Sequence, residues 1–585
     1  MRQKLLFILL LFFNSSLGFS YTHTITSSGQ EVSWRGSTHL NLLGNPTNRS
    51  GISSDDFFST VTKGLQRWNE GSQKQITFDY WQGTSSEYKT IREYDNYSNI
   101  YFASESGDEN YLDSSVVGLT EVWFDSETGE IFEVDIVLND IDYHLTTDSS
   151  DTSGYGSNVR SVGDFQDIFL ENVITHELGH SFGLGHSGVL QSSMYFLESP
   201  QQAHLSCDEI AGVQSIYSQS KELGSISGKV IDSQNQPVFG AHVQAISNYR
   251  GVVLASALTN KDGSYKVNGL EPGDYYLTVE PFYADASALS EYYESVYHAQ
   301  CDGNPFARTF FMDNESSFLK AVKVISGDVT SVQTIQVYCS EEGGANVDSF
   351  FGSTDQSLAQ EVVNGNSGSF GFIDKADGIT DEKYYQFSAI DGELRIAGIS
   401  YSLFSPVQLH FELLDIHGDE VSVQQANPVF YGDSGYINYD TLLIAKNLEE
   451  GNYYLKVSTS PVTFTKYPGG VLSRDLESFF VITGVVNSDF SLTQSFPENA
   501  RCESEETFSE YSSPEGSPVK SGDDESNSVG FCGTVWKNGP GGFNGGSQSA
   551  IATSDIIGWF LPWLLMFTTY LLVCRLDQFQ LRLSS

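Results

Sequence analysis

Residues 176–186 read H-E-L-G-H-S-F-G-L-G-H, a spacing that few folds can satisfy. His176 and His180 stand four residues apart, which on an α-helix places both on one face, with Glu177 beside the first. Gly183 is positioned to end that helix in the left-handed conformation and swing His186 back toward the same point. Three neutral imidazoles converging in this way suit Zn²⁺, which takes nitrogen ligands in a tetrahedral site and keeps a fourth corner open for water. The motif therefore predicts His176, His180 and His186 as metal ligands and Glu177 as the acid–base group next to them. The competing reading, a helix with merely exposed histidines, gives no reason for a glycine between the second and third histidine.

At 585 residues the chain is too long for one core, and three or four domains are expected. Its 75 acidic and 30 basic residues give a net charge of −45. A chain this acidic repels nucleic acid and anionic lipid surfaces, so neither is an expected partner. Residues 1–20 read as a signal peptide: Arg2 and Lys4, then an apolar run from Leu5 to Phe13, then small residues suited to cleavage. Export to the cell surface or the medium follows from that reading. Residues 556–574 are apolar and uncharged, enough for a transmembrane or sorting segment, with Arg575 and Arg582 beyond it as a weak positive-inside signal. Residues 495–550, rich in Ser, Glu, Asp and Gly, read as a disordered stalk before it. Of six cysteines, Cys301 and Cys339 are the favoured disulfide, and Cys207 reads as a small buried residue without a partner.

Between these ends the periodicity changes twice. Residues 21–220 mix strand patterns (Gln30–Trp34, Ile76–Tyr80, Val116–Phe124, Ile131–Leu138) with helical ones at Ser54–Trp68, Asp164–Phe182 and Asp208–Tyr217, giving an α+β domain with Ser206 as a cap of the last helix. Residues 224–340 and 345–490 alternate apolar and polar positions between turns, as two all-β sandwiches do. Oxygen-rich Asp135, Asn139, Asp140 and Asp142 at the end of a strand offer ligands for Ca²⁺, with a solvated acidic loop as the alternative.

The motif through His176, Glu177, His180, Gly183 and His186 resembles the metzincin signature, and Ser187 directly after it is a matrixin-like choice. Ser193-Met194-Tyr195 is similar to the methionine turn that metzincins place beneath the metal, and residues 205–217 resemble the closing helix of matrixins. Tyr195 follows the methionine directly, unlike the arrangement in which astacins add a tyrosine ligand, so it is not expected to bind metal. Vertebrate matrixins are kept latent by a pro-segment cysteine, but no cysteine precedes Cys207 here. A second, structural zinc is not expected from His23, His39 and His144. Residues 224–283 resemble the carboxypeptidase regulatory-like β-sandwich, the third domain is loosely similar to pre-peptidase C-terminal sandwiches, and the stretch from Cys532 resembles C-terminal sorting cassettes.

The resemblance implies a zinc metalloendopeptidase that hydrolyses extracellular proteins or peptides, with Glu177 as general base and an extended substrate pairing on Ile131–Leu138 or Val116–Phe124. The alternative is a surface adhesin or ligand-binding protein whose β-sandwiches carry the main role.

Overall fold

The computed structural model describes residues 23–35, 39–82, 94–103, 112, 116–148, 167–190, 192–196, 202–218, 222–282, 292–293, 306, 308–312, 319–338, 360–361, 367–372, 382–403, 405, 407–426, 429–431, 436–438, 440–461, 479–486 and 531–538. The expected signal peptide and the apolar stretch 556–574 lie outside these residues. Among the described residues no helix is long and apolar enough to cross a membrane.

The first domain is built from β1 (His39–Gly44), α1 (Ser54–Gly71), β2 (Thr77–Gln82), β3 (Ser98–Phe102), β4 (Val116–Phe124), β5 (Ile131–Leu138), β6 (His144–Thr146), β7 (Asp167–Phe169), α2 (Leu170–Ser181) and α3 (Cys207–Tyr217). Its main sheet runs β2-β1-β3-β5-β4. The first four strands are parallel, and β4 returns antiparallel to β5. Helix α1 starts where the Ser53 side chain accepts from the Asp56 N–H at 3.1 Å, with two aspartates in the first turn to complement the helix dipole. Phe57, Val61, Leu65 and Trp68 then recur at helical spacing and are all buried. Trp68 donates its indole N–H to Thr175 O at 2.8 Å, which locks α1 against α2. Gly64 allows this approach, since a Cβ there would lie 2.9 Å from Leu178.

Three expectations need correction. The helix predicted over Asp164–Phe182 begins only at Leu170, because Asp167–Phe169 is captured as a strand pairing parallel with His144–Thr146. Every residue of α2 is buried, so amphipathic spacing gave little guide to where it starts. Gln30–Trp34 forms only isolated bridges, Ile25 with Glu31 and Ser33 with Glu130. Strand β5 lies between β3 and β4, so it presents no edge to a ligand.

The second domain is a sandwich of two sheets, as the alternating pattern predicted. One holds Gly224–Ile231 and Ser264–Leu270; the other holds Ala241–Ser247, Val252–Leu258 and Gly273–Pro281. Its core continues into the first domain: Ile210, Ala211 and Val213 of α3 belong to the same buried cluster as Val267, Leu270 and Leu277. Gly269, at φ +69°, comes so close to α3 that a Cβ would lie 2.6 Å from Ala211 O.

In the third domain most described strands join one eight-stranded sheet, which also takes in Leu319–Lys320, while Val429–Tyr431 and Tyr436–Asn438 pair as a separate two-stranded sheet. The long strands Lys383–Ile399 and Thr441–Pro461 pair through repeated irregularities between Phe387 and Leu394, which let one strand bend and serve several neighbours. Tyr385, Ile396, Leu409, Leu443 and Leu455 form its buried cluster.

The stalk expectation also fails over one stretch: Phe531–Asn538 is a strand, hydrogen-bonded along the outer edge of β4. Phe531, Thr534, Val535 and Trp536 are strand-favouring residues whose signal was diluted by the polar composition around them. Cys207, expected to be unpaired, is disulfide-bonded.

Because the first two domains share a core, a chain ending at residue 221 is expected to melt roughly 4–8 °C below one ending at residue 340, as loss of about 2 kcal/mol would cause in a domain of this size. Equal melting temperatures by calorimetry would show that the two cores are independent.

Candidate metal centre

Helix α2 carries His176, Glu177 and His180 into the interior beside β4. It ends in a Schellman turn: the Leu184 N–H donates to Gly179 O at 3.2 Å and the Gly183 N–H to His180 O at 2.9 Å. Gly183 has φ +88°, and a Cβ there would meet Val32 O at 2.3 Å, so glycine is required both for its conformation and for space. The turn delivers His186 to the other two histidines. The metal-binding nitrogens of His176, His180 and His186 all lie within 4.8 Å of one another, and this is the one such group among the described residues.

The imidazoles are set up for a cation. His176 Nδ1 donates to Ser193 O at 2.7 Å and His180 Nδ1 donates to Leu184 O at 2.8 Å, which fixes the tautomer and turns Nε2 inward. Nε2 of His176 is buried and carries no hydrogen bond. Burial, reinforced by the neighbouring His186, holds the His176 and His180 side chains well below the ordinary imidazole range, so both are neutral and able to ligate. The two neutral imidazoles, with His186 beside them, fit Zn²⁺ in a site with one position left for water.

Glu177 sits one residue along from the first ligand, its side chain fully buried. The Thr120 hydroxyl donates to its Oε2 at 2.6 Å, which fixes the carboxylate from β4. Gly118, two residues back on the same strand, has no side chain where a Cβ would lie 2.6 Å from Glu177 Oε1. Neither Gly118 nor Thr120 was singled out by sequence reasoning. The alternation along β4 could have placed both on one face, but nothing in the sequence tied that face to the motif.

Beneath the histidines, Met194 is fully buried, and a Cβ on Gly179 would meet its sulfur at 2.2 Å. The Ser187 N–H donates to Met194 O at 2.8 Å, and the Met194 N–H donates to Glu209 Oε1 at 3.0 Å. Glu209 also completes the capping box with Ser206 at the start of α3, so one carboxylate ties this turn to the closing helix. Tyr195 is buried.

The second domain reaches the back of the site. Asp208 accepts from Ser187 Oγ at 2.6 Å and from Ser256 Oγ of the sandwich at 3.2 Å, while burial and the adjacent Glu209 push its carboxyl up to about 7. Gly188 lies against His242, whose ring would be 2.8 Å from a Cβ at that position. His242 in turn meets Glu280 at 3.3 Å, and Arg308 forks onto the same carboxylate. Burial raises the Glu280 carboxyl, but Arg308 and His242 outweigh it and hold the group below its ordinary range. No sequence motif surrounds His242.

Several of the oxygens considered for Ca²⁺ accept from protein donors, while Asp135 Oδ2 is buried without one among the described residues. Asp140 accepts from the backbone of Arg49 and Ser50, Asp142 accepts from Asn139 Nδ2 at 3.2 Å, and Asp135 accepts from the Asn99 N–H at 3.1 Å.

A mixed sheet backed by two helices, with three histidines spaced along a helix and its exit turn, is similar to the zinc site of metzincins. Residues 43–218 match the Matrixin family, and residues 225–289 match the Carboxypeptidase regulatory-like domain. Over 52 residues the chain is 44% identical to the metalloendoproteinase 4-MMP of Arabidopsis thaliana, which is 8% of this chain and 15% of that protein. Over 54 residues it is 46% identical to the matrilysin of Rattus norvegicus, covering 9% of this chain and 20% of the other. An interstitial collagenase from Oryctolagus cuniculus is 36% identical over 102 residues, 16% of this chain and 20% of its own length. The chain thus spans about a fifth or less of the length of these relatives.

Gly183→Ala should cost about 1–3 kcal/mol of stability, since it forces a side chain into the left-handed region and against Val32 O; denaturant unfolding that matches the parent would remove the geometric role given to this residue. Thr120→Val should keep stoichiometric zinc and lower kcat about tenfold on a peptide substrate, in line with the loss of one hydrogen bond to a charged group, about 1.5 kcal/mol. An unchanged kcat would mean that the hydroxyl does not set the Glu177 carboxylate.

Proposed function

We propose that the chain is a zinc metalloendopeptidase acting on extracellular proteins or peptides. The observation that carries this reading is the convergence of three buried imidazoles with the Glu177 carboxylate beside them. His176, His180 and His186 would hold the ion. Bound Zn²⁺ supplies Lewis acidity, which acidifies a water and polarises the carbonyl to be cleaved.

The remaining steps belong to the protein's own groups. Glu177 accepts the proton from the attacking water and returns it to the departing amide nitrogen as that bond breaks. Thr120 keeps the carboxylate aimed by binding Oε2, and Gly118 leaves room beside Oε1. An extended peptide laid along β4 would pass directly in front of Glu177, with backbone pairing for affinity and side chains for choice. That geometry takes a chain in mid-sequence, which favours internal cleavage over trimming of an end. Export through the stretch 1–20 and attachment through 556–574 complete the proposal, and both rest on the sequence alone.

Glu177→Gln should retain zinc and lose about 10²–10⁴-fold in kcat, the range expected for a removed general base. His180→Ala should lose the metal as well. Metal analysis alongside casein cleavage distinguishes these two outcomes, and full activity in Glu177→Gln would disprove the role given to this carboxylate.

A further inference from the structure

We infer that Phe531–Asn538 is a built-in occupant of the substrate-binding edge, an autoinhibitory strand that competes with substrate for β4. The inference rests on the peptidase reading above, because β4 is the substrate's edge only if the site is a peptidase.

Strand β4 has two sides. One is fully engaged with β5, in register from Gly118 opposite Leu138 to Phe124 opposite Ile131. The other carries the C-terminal strand, running parallel, with Cys532 opposite Gly118, Gly533 opposite Leu119, Thr534 opposite Thr120 and onward to Asn538 opposite Phe124. Gly118 and Thr120 are the two β4 positions next to the Glu177 carboxylate. The added strand therefore spans the stretch of edge that faces the reacting groups. It also comes within 8 Å, Cα to Cα, of α2, which bears His176, Glu177 and His180.

A strand edge offers one set of outward N–H and C=O groups, and a second strand cannot share them. An extended peptide reaching Glu177 along β4 must first displace Phe531–Asn538. The competitor belongs to the same chain, so its effective concentration is on the order of mM whatever the dilution. If its own affinity for the edge is about 0.1 mM, cleavage is suppressed about tenfold. Scission anywhere between Val486 and Phe531 would separate the strand from the rest of the chain and lift the suppression, because the tether that sets its effective concentration is then lost.

The test compares the full chain with its Thr534→Pro/Val535→Pro variant. Successive residues of a strand turn their N–H groups to opposite sides, so adjacent prolines remove at least one bond to β4. Both chains are assayed for kcat/KM on a short fluorogenic peptide and for hydrogen–deuterium exchange over residues 116–124, the exchange also in a Glu177→Gln background to prevent self-cleavage. The expected result is a kcat/KM at least about tenfold higher in the variant, with faster exchange along β4 and unchanged protection of α2. Equal kcat/KM in the two chains, or unchanged exchange along β4, overturns the inference. Cleavage by neither chain, with zinc bound and β4 exchanging faster in the variant, overturns the peptidase reading and the inhibitory role with it, a pattern distinct from equal rates.

Discussion

Two hydrogen bonds from imidazole Nδ1 atoms to backbone carbonyls hold the centre of this protein in place. The acceptors, Ser193 O and Leu184 O, both lie after the helix that supplies the donors, in the segment returning under it. The site can therefore form only when the chain reverses tightly after α2, and this reversal depends on Gly183. Once the reversal is made, His176 and His180 are locked as neutral ligands with Nε2 inward, His186 arrives with the same loop, and Met194 fills the space below Gly179. Ligand orientation, tautomer and the floor of the site all follow from one turn.

That turn is braced from outside the first domain. Ser187 follows the third histidine and is held by Asp208, which also takes a hydroxyl from Ser256 of the sandwich. His242 of the same sandwich lies against Gly188 and beside buried Glu280, which the partly exposed Arg308 also holds. The shared apolar cluster around Ala211 and Leu270 makes these contacts a permanent seat for the metal-binding loop. The second domain is thus part of the scaffold that positions the ligands.

Much of the site was legible because its residues are spaced by helix geometry: His176, Glu177 and His180 by the 3.6-residue turn, Gly183 by its sign of φ, Ser206 by capping chemistry. Strands β4 and β5 were also legible, as long runs of β-formers joined by a turn at Asp125–Gly129. The rest depended on tertiary contacts. Thr120 and Gly118 matter only because β4 packs against α2, and no local pattern announces that packing. The start of α2 was misplaced because a helix buried on all sides has no polar face, and β6 then claimed the residues before it. Phe531–Asn538 was hidden by its polar surroundings, and its pairing with β4 joins residues some four hundred positions apart in the chain. Cys207 showed the same limit: its pairing depends on a distant partner that its own neighbourhood cannot indicate.

The most direct test of the account is anomalous diffraction at the zinc edge from crystals of the full chain grown with one equivalent of zinc. The account predicts a single strong peak bonded to Nε2 of His176, His180 and His186, at about 2.0–2.1 Å from each nitrogen. A peak at other side chains, or histidines turned away from one another in a zinc-loaded crystal, would contradict it.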